Sequence, residues 1–141
     1  MVRRSFSDWI SWKEFKETRL TDQRFRERGV YLLAHFRRRP AGKANPDEHG
    51  VFYIGETTRQ SFMKRLDQFS GAAFAEKPGH SGGSTYYGKF PIKDFPTETL
   101  CISILPVPEA EHSSFLIKFL ERDLLWKRIS KLGAPPKCNR N

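Results

Sequence analysis

Long apolar runs are missing from this 141-residue sequence: no stretch approaches the roughly 20 consecutive apolar residues that a bilayer-spanning helix needs. Nor does a secretory apolar segment open the chain, which makes the cytoplasm the expected compartment. Cysteine is scarce. Cys101 and Cys138 stand far apart with no C-x-x-C pair, so neither a zinc site nor a disulfide framework is expected. Internal repeats and low-complexity segments are absent, which argues against solenoid arrays. Acid is in deficit: 16 Asp and Glu face 25 Lys and Arg, and the formal net charge of +9 suits a polyanionic partner. Nucleic acid is the favoured one and a membrane the weaker one. The length leaves room for a single ordinary domain.

What is present is apolar and aromatic enough to pack. A hydrophobic fraction of 38% that includes 12 Phe argues for a globular interior rather than a disordered chain. Phe6 to Leu20, with Trp9, Ile10, Trp12 and Phe15 among charged residues, reads as an amphipathic helix. Gly29 to Phe36 reads as a strand, and the Arg-, Pro-, Gly- and Asn-containing stretch from Arg37 to Gly50 as a loop. Val51 to Gly55 is a second strand, close enough to pair antiparallel with the first. Thr57, Thr58 or Ser61 can cap a helix that carries Phe62, Leu66, Phe69 and Phe74 at helical spacing. Glu76 to Gly88 reads as flexible, Thr99 to Leu105 as a third strand, and Glu109 to Leu132 as a helix with Leu116, Phe119, Leu120, Leu124 and Ile129 on its apolar side. Gly133 and Pro135-Pro136 stop that helix.

Gly29-Val30-Tyr31 and Tyr53-Ile54-Gly55 fall on the first two strands, in that order, and Lys64-Arg65 follows on the helix after them. Leu120-Glu121-Arg122 lies in the long C-terminal helix, and Pro136-Lys137-Cys138-Asn139 closes the series. In order and spacing this set, from Gly29 to Asn139, resembles the GIY-YIG nucleases of phage homing endonucleases, certain restriction enzymes and the incision subunit of bacterial nucleotide excision repair. The resemblance implies an α+β fold with a small three-stranded antiparallel sheet flanked by helices. Residues 29–141 would form the nuclease-like domain, and residues 1–28 an N-terminal helical extension. It implies a metal-dependent DNA endonuclease using Mg2+ or Mn2+, with Glu121 as metal ligand and Arg65 on the phosphate. Tyr31 and Tyr53 would line the site, one of them deprotonating or orienting the attacking water. Gly29, Gly55 and Asn139 would brace the site.

The chemistry asks for those residue types. Phosphodiester hydrolysis builds charge on phosphoryl oxygens, which a hard cation held by a carboxylate and a planar guanidinium both offset. A phenol titrates near 10, so service as a base requires nearby cations, for which Lys64 and Arg65 are placed. Arg59, Arg37, Arg38 and Arg39 are candidate phosphate contacts alongside Lys64. His80, in a Gly- and Ser-rich segment, is a further candidate catalytic group. Two positions depart from the family. Phe69 stands one turn after Arg65 where many relatives have His or Tyr, and Glu56 stands where the repair-type relatives have Lys. Glu56 would pair with an Arg such as Arg59 or join the metal shell. Two other readings compete. One is a catalytically weak binder that holds nucleic acid through Arg24, Arg26, Arg28, Arg37, Arg38 and Arg39. The other is a protein-interaction module anchored by exposed Trp9, Trp12 and Phe15. Because the presumed core occupies almost the whole chain, a targeting protein partner is a further possibility.

Overall fold

The structure, a computed structural model, describes residues 5–139; residues 1–4 and 140–141 of the two expected units lie outside the described residues. In chain order the elements are β1 (Ile10–Ser11), α1 (Trp12–Thr18), β2 (Gly29–His35), β3 (Val51–Thr57), α2 (Phe62–Ala75), α3 (Ser81–Lys89), β4 (Leu100–Pro106) and α4 (Ser113–Leu132), with 3-10 turns at Gln23–Arg26 and Thr97–Thr99. All strand pairs are antiparallel, in the order β1-β4-β2-β3. The class is α+β.

The sheet has four strands rather than the three expected. The extra one comes from the N-terminal segment, where Ile10 pairs with Ile102 and the Ser7 N–H donates to the Ile104 carbonyl at 2.9 Å. The helix expected from Phe6 to Leu20 therefore shrinks to Trp12–Thr18, started by Ser11, whose hydroxyl accepts the Glu14 N–H at 3.0 Å. Its aromatics are not an exposed anchor. Trp9, Trp12 and Phe15 are 4%, 6% and 0% exposed, which removes the physical basis of the interaction-module reading.

Strand β2 lies between β4 and β3 and is buried along its first six residues, because helices cover both faces of the sheet. Tyr31 and Leu33 face Phe15, Phe62, Leu66, Phe69 and Tyr86. Val30, Leu32 and Ala34 face Trp9, Ile117, Leu120 and Leu124. The β2–β3 register slips between Leu33 and Ala34, so that Phe52 is an extra residue in β3. That bulge turns the consecutive residues Phe52 and Tyr53 into the same aromatic cluster.

Two helices differ from the sequence reading. The glycine-rich stretch expected to be flexible contains α3, which packs on α2 through Gly83, against Ala72 and the Phe69 carbonyl. Helix α4 starts at Ser113 rather than Glu109 and turns Phe119 outward; Phe115, Phe119 and Trp126 are all more than half exposed, whereas Ile117 and Arg128 are buried. Arg128 donates to the carbonyls of Pro46, Glu48 and Val51 and so ties the loop before β3 to α4. Among the described residues no helix is long and apolar enough to cross a membrane.

His35 ends β2 between stacked rings of Phe52, Tyr86 and Phe90. Thr99 Oγ1 donates to the Pro96 carbonyl, so it accepts from His35 Nδ1–H at 2.8 Å, and His35 Nε2 accepts the Tyr86 hydroxyl at 2.8 Å. Burial lowers the His35 pKa from 6.5 to about 4. The unfolded chain therefore takes up a proton near pH 6.5 that the folded protein refuses until about pH 4. The part of the stability that His35 contributes should be complete above pH 6.5 and fall by about 1 kcal/mol per pH unit on acidification between those limits, read as the difference between wild type and a His35→Phe variant. A His35→Phe protein whose melting temperature follows the same pH profile as wild type from pH 7 to 4.5 would contradict this.

Candidate active site

Strand register builds the centre of the site. Tyr31 on β2 lies opposite Gly55 on β3, and a Cβ at Gly55 would sit 2.5 Å from both Tyr31 Cζ and Tyr53 Cε2. Only glycine lets the two phenol rings close to a centroid separation of 6.0 Å. Gly82, in the first turn of α3, plays the same part on the far side, since a Cβ there would fall 2.5 Å from Tyr53 Cε1. Gly29 opens β2, paired with Thr57 and Pro106.

His80 joins the tyrosines from a direction the sequence reading did not anticipate. It is the N-cap of α3 and is buried, not a solvated loop residue. Its Nδ1 accepts the Gly83 N–H at 2.9 Å, which leaves the ring proton on Nε2, where it donates to Tyr31 Oη at 2.7 Å. Tyr31 thus accepts from His80, and its own O–H points to the Tyr53 phenol, whose pKa it lowers. Phe69 packs its ring against His80 at 5.5 Å, so an imidazole from α3 occupies the neighbourhood of the position one turn past Arg65. Burial, reinforced by the Arg65 charge, lowers the His80 pKa to about 3 and keeps it neutral.

Arg65 projects from α2 with its Nη1 donating to Gln68 Oε1 at 2.8 Å and to the Gly79 carbonyl at 2.9 Å. These contacts hold the guanidinium next to His80. Burial raises the Tyr31 pKa well above 10, with the neighbouring Tyr53 adding to the rise and Arg65 opposing it. Burial also raises the Tyr53 phenol, against the Arg65 charge and the Ser81 side chain, while Glu121 pushes it further up. Both phenols are therefore protonated at neutral pH in the protein alone.

Glu121 comes from α4, which covers the sheet face opposite the one where Tyr31, Tyr53 and the Arg65 helix pack, and it is linked to Tyr53 only by its charge. Burial, then the nearby Glu56 carboxylate, raises its pKa to about 7, opposed by Arg122 and Lys118. Among the described residues no group of three or more His, Cys, Asp and Glu gathers. A hard divalent cation does not need one, since Mg2+ is commonly held by one or two carboxylates and waters. The residues here fit such an ion: Glu56 Oε2 is a buried acceptor with no hydrogen-bond partner, near Glu121. Gln60 Oε1 is a second orphaned acceptor.

Asn139 braces this edge. Its side-chain oxygen accepts the Ile54 N–H at 2.9 Å and its amide donates to the Ile54 carbonyl at 2.8 Å, so the carboxamide pairs with β3 as a peptide group of another strand would. The Cys138 N–H donates to the Phe52 carbonyl at 2.8 Å beside it. Asn139→Ala should destabilise the protein by about 1–3 kcal/mol, read as a lower midpoint in urea. No shift in midpoint would show that the chain end does not hold β3.

The remaining candidate phosphate contacts are divided. Lys64 is exposed in the first turn of α2, and Arg59 is exposed in the turn that lines a cavity with Glu56 and Arg65. Arg37, Arg38 and Arg39 follow the other end of β2, about 20 Å along the chain from Tyr31 at the usual strand rise. Arg24, Arg28 and Arg39 are paired with Asp22, Glu109 and Glu14, so three members of the basic cluster are partly neutralised. Glu56 makes no ion pair with Arg59 or any other cation among the described residues. Two contributors went unread in the sequence. Gln68 sits three residues after Arg65 and could have been found from helical spacing, whereas Ser81 gave no signal because α3 was not expected. Neither a scan against protein-family models nor searches of curated proteins and solved structures return a match for this chain.

Proposed function

We propose that this chain is a GIY-YIG-type endonuclease that hydrolyses DNA phosphodiester bonds with Mg2+ or Mn2+. The observation that carries the reading is the meeting of Tyr31, Tyr53, Arg65 and His80, with Glu121 in electrostatic reach, from separate elements at one edge of a small antiparallel sheet. Glu121 would hold the cation, which when bound supplies charge to stabilise the phosphoryl oxygens and the attacking hydroxide. Arg65 neutralises the phosphate from the opposite side with a fork fixed by Gln68 and Gly79. His80 aims the Tyr31 hydroxyl, which orients the nucleophile together with the Tyr53 phenol beside it rather than serving as a base, since burial keeps it protonated. Tyr53, backed by Gly82, shapes the wall beside it.

A second reading, a nucleic-acid binder that does not cut, is favoured by one observation: Tyr31 has no exposed surface. Supercoiled plasmid separates the two. An endonuclease relaxes or linearises it in Mg2+ and is silenced by EDTA; a binder retards it on a gel and leaves the supercoils intact. Cleavage mapping on duplex, flap, branched and single-stranded substrates then defines the DNA structure preferred.

A further inference from the structure

We infer that the outward face of α4 is a stacking platform for the unpaired bases of single-stranded DNA, formed by Phe115, Phe119 and Trp126 with Arg122 between the last two. Its service to a substrate rests on the endonuclease reading above, whereas its binding of a strand rests on the helix alone. At about 100° per residue the four positions fall within about 60° of one another around the helix axis, and Phe119 and Trp126 stand about 10.5 Å apart along it. Their rings are 75%, 61% and 65% exposed in chain order. Apolar side chains exposed singly are ordinary on a protein surface, but three large aromatics on one narrow stripe are not. The opposite side of α4 meets the sheet through Ile117, Leu120 and Leu124, so the fold does not need these rings for its core.

Charge selects the occupant. Arg122, in the middle of the stripe, and Lys118 beside it are exposed and make no ion pair among the described residues. The neighbouring acid, Asp123, is already held by Lys127 at 2.8 Å. The stripe therefore offers aromatic faces and unspent positive charge, the combination that holds bases and their phosphates, on a chain of formal net charge +9. A second copy of the chain fits less well, because an isologous pairing of α4 centred on the stripe would set Arg122 against Arg122 with no carboxylate of the stripe to meet it. Duplex DNA fits less well too, since its bases are stacked on one another and show only their edges. Glu121 immediately precedes Arg122, so a strand lying along the stripe passes within one turn of the proposed cation ligand. DNA with a single-stranded arm is then held better than plain duplex.

The test is the fluorescence anisotropy of a short labelled oligo-dT strand titrated with the whole chain in EDTA, for wild type, Phe119→Ala, Trp126→Ala, the double variant and Arg122→Ala. Each lost ring should weaken binding by about tenfold and the pair by about a hundredfold, since stacking contributes about that factor per base. Arg122→Ala should lower the slope of log affinity against log salt by about 0.7, the signature of one lost phosphate contact on a single strand. Tryptophan fluorescence should fall when wild type binds, and the fall should vanish in Trp126→Phe, because Trp9 and Trp12 are buried. The substituted side chains are exposed, so the variants should melt with wild type. Wild-type affinity in the double variant overturns the platform, and so does tighter binding of duplex than of oligo-dT. A dimer that the double variant dissociates while oligo-dT binding is unchanged assigns the face to a second copy and also overturns it. Plasmid cleavage in Mg2+ decides the endonuclease reading separately: a chain that holds oligo-dT through the stripe without cutting keeps the platform and loses that reading.

Discussion

Arg65→Ala should lower DNA cleavage by about 100-fold to 1000-fold while the protein stays folded and still binds DNA, because a preorganised donor aimed at developing charge contributes mainly in the transition state. The guanidinium is positioned for that work. Its two hydrogen bonds, to Gln68 and the Gly79 carbonyl, fix the fork without consuming it on an acidic partner. Loss of these contacts to partly exposed groups removes only about 1 kcal/mol of stability. Arg65→Lys should recover little, since an ammonium cannot reproduce the planar fork. Single-turnover cleavage rates alongside gel-shift affinities make the measurement. A rate within a few-fold of wild type would remove Arg65 from the chemistry.

Tyr31→Phe is expected to have an effect of similar size for a different reason. The substitution keeps the ring and deletes the oxygen that His80 Nε2–H addresses at 2.7 Å, so the nucleophile loses its orienting hydroxyl. Positioned proton donors and acceptors commonly contribute about 100-fold to 10,000-fold, and the cleavage rate should fall into that range. The same change strands a buried Nε2–H, which should also destabilise the protein by about 1–3 kcal/mol. Cleavage at the wild-type rate by a Tyr31→Phe protein that melts lower would mean that the hydroxyl serves packing alone.

How much of this could be read in advance depended on whether local signals matched tertiary context. Strands β2, β3 and β4 were legible because helices cover both faces of the sheet, which leaves unbroken apolar runs in the sequence. The start of α2 was legible in Ser61, whose hydroxyl accepts the Lys64 N–H. Helix α3 was not, since Gly79, Gly82, Gly83 and neighbouring serines argue locally against a helix. Its glycines are explained by close contacts, Gly82 against Tyr53 and Gly83 against α2, which no local pattern encodes. The Tyr31–His80 bond joins residues 49 apart, and β1 is two residues inside a helical periodicity. On α4, helical spacing placed Phe119 inside, whereas the buried positions are taken by Ile117 and by Arg128, a charged residue that binds three carbonyls.

The most direct measurement compares wild type and Glu121→Gln on supercoiled plasmid in Mg2+, with and without EDTA. Wild type should nick or linearise the plasmid only while free Mg2+ is present, and the isosteric variant should leave it supercoiled while melting at a similar temperature. Equal cleavage by the two proteins, or cleavage that persists in EDTA, would contradict a metal-dependent site built on the α4 carboxylate.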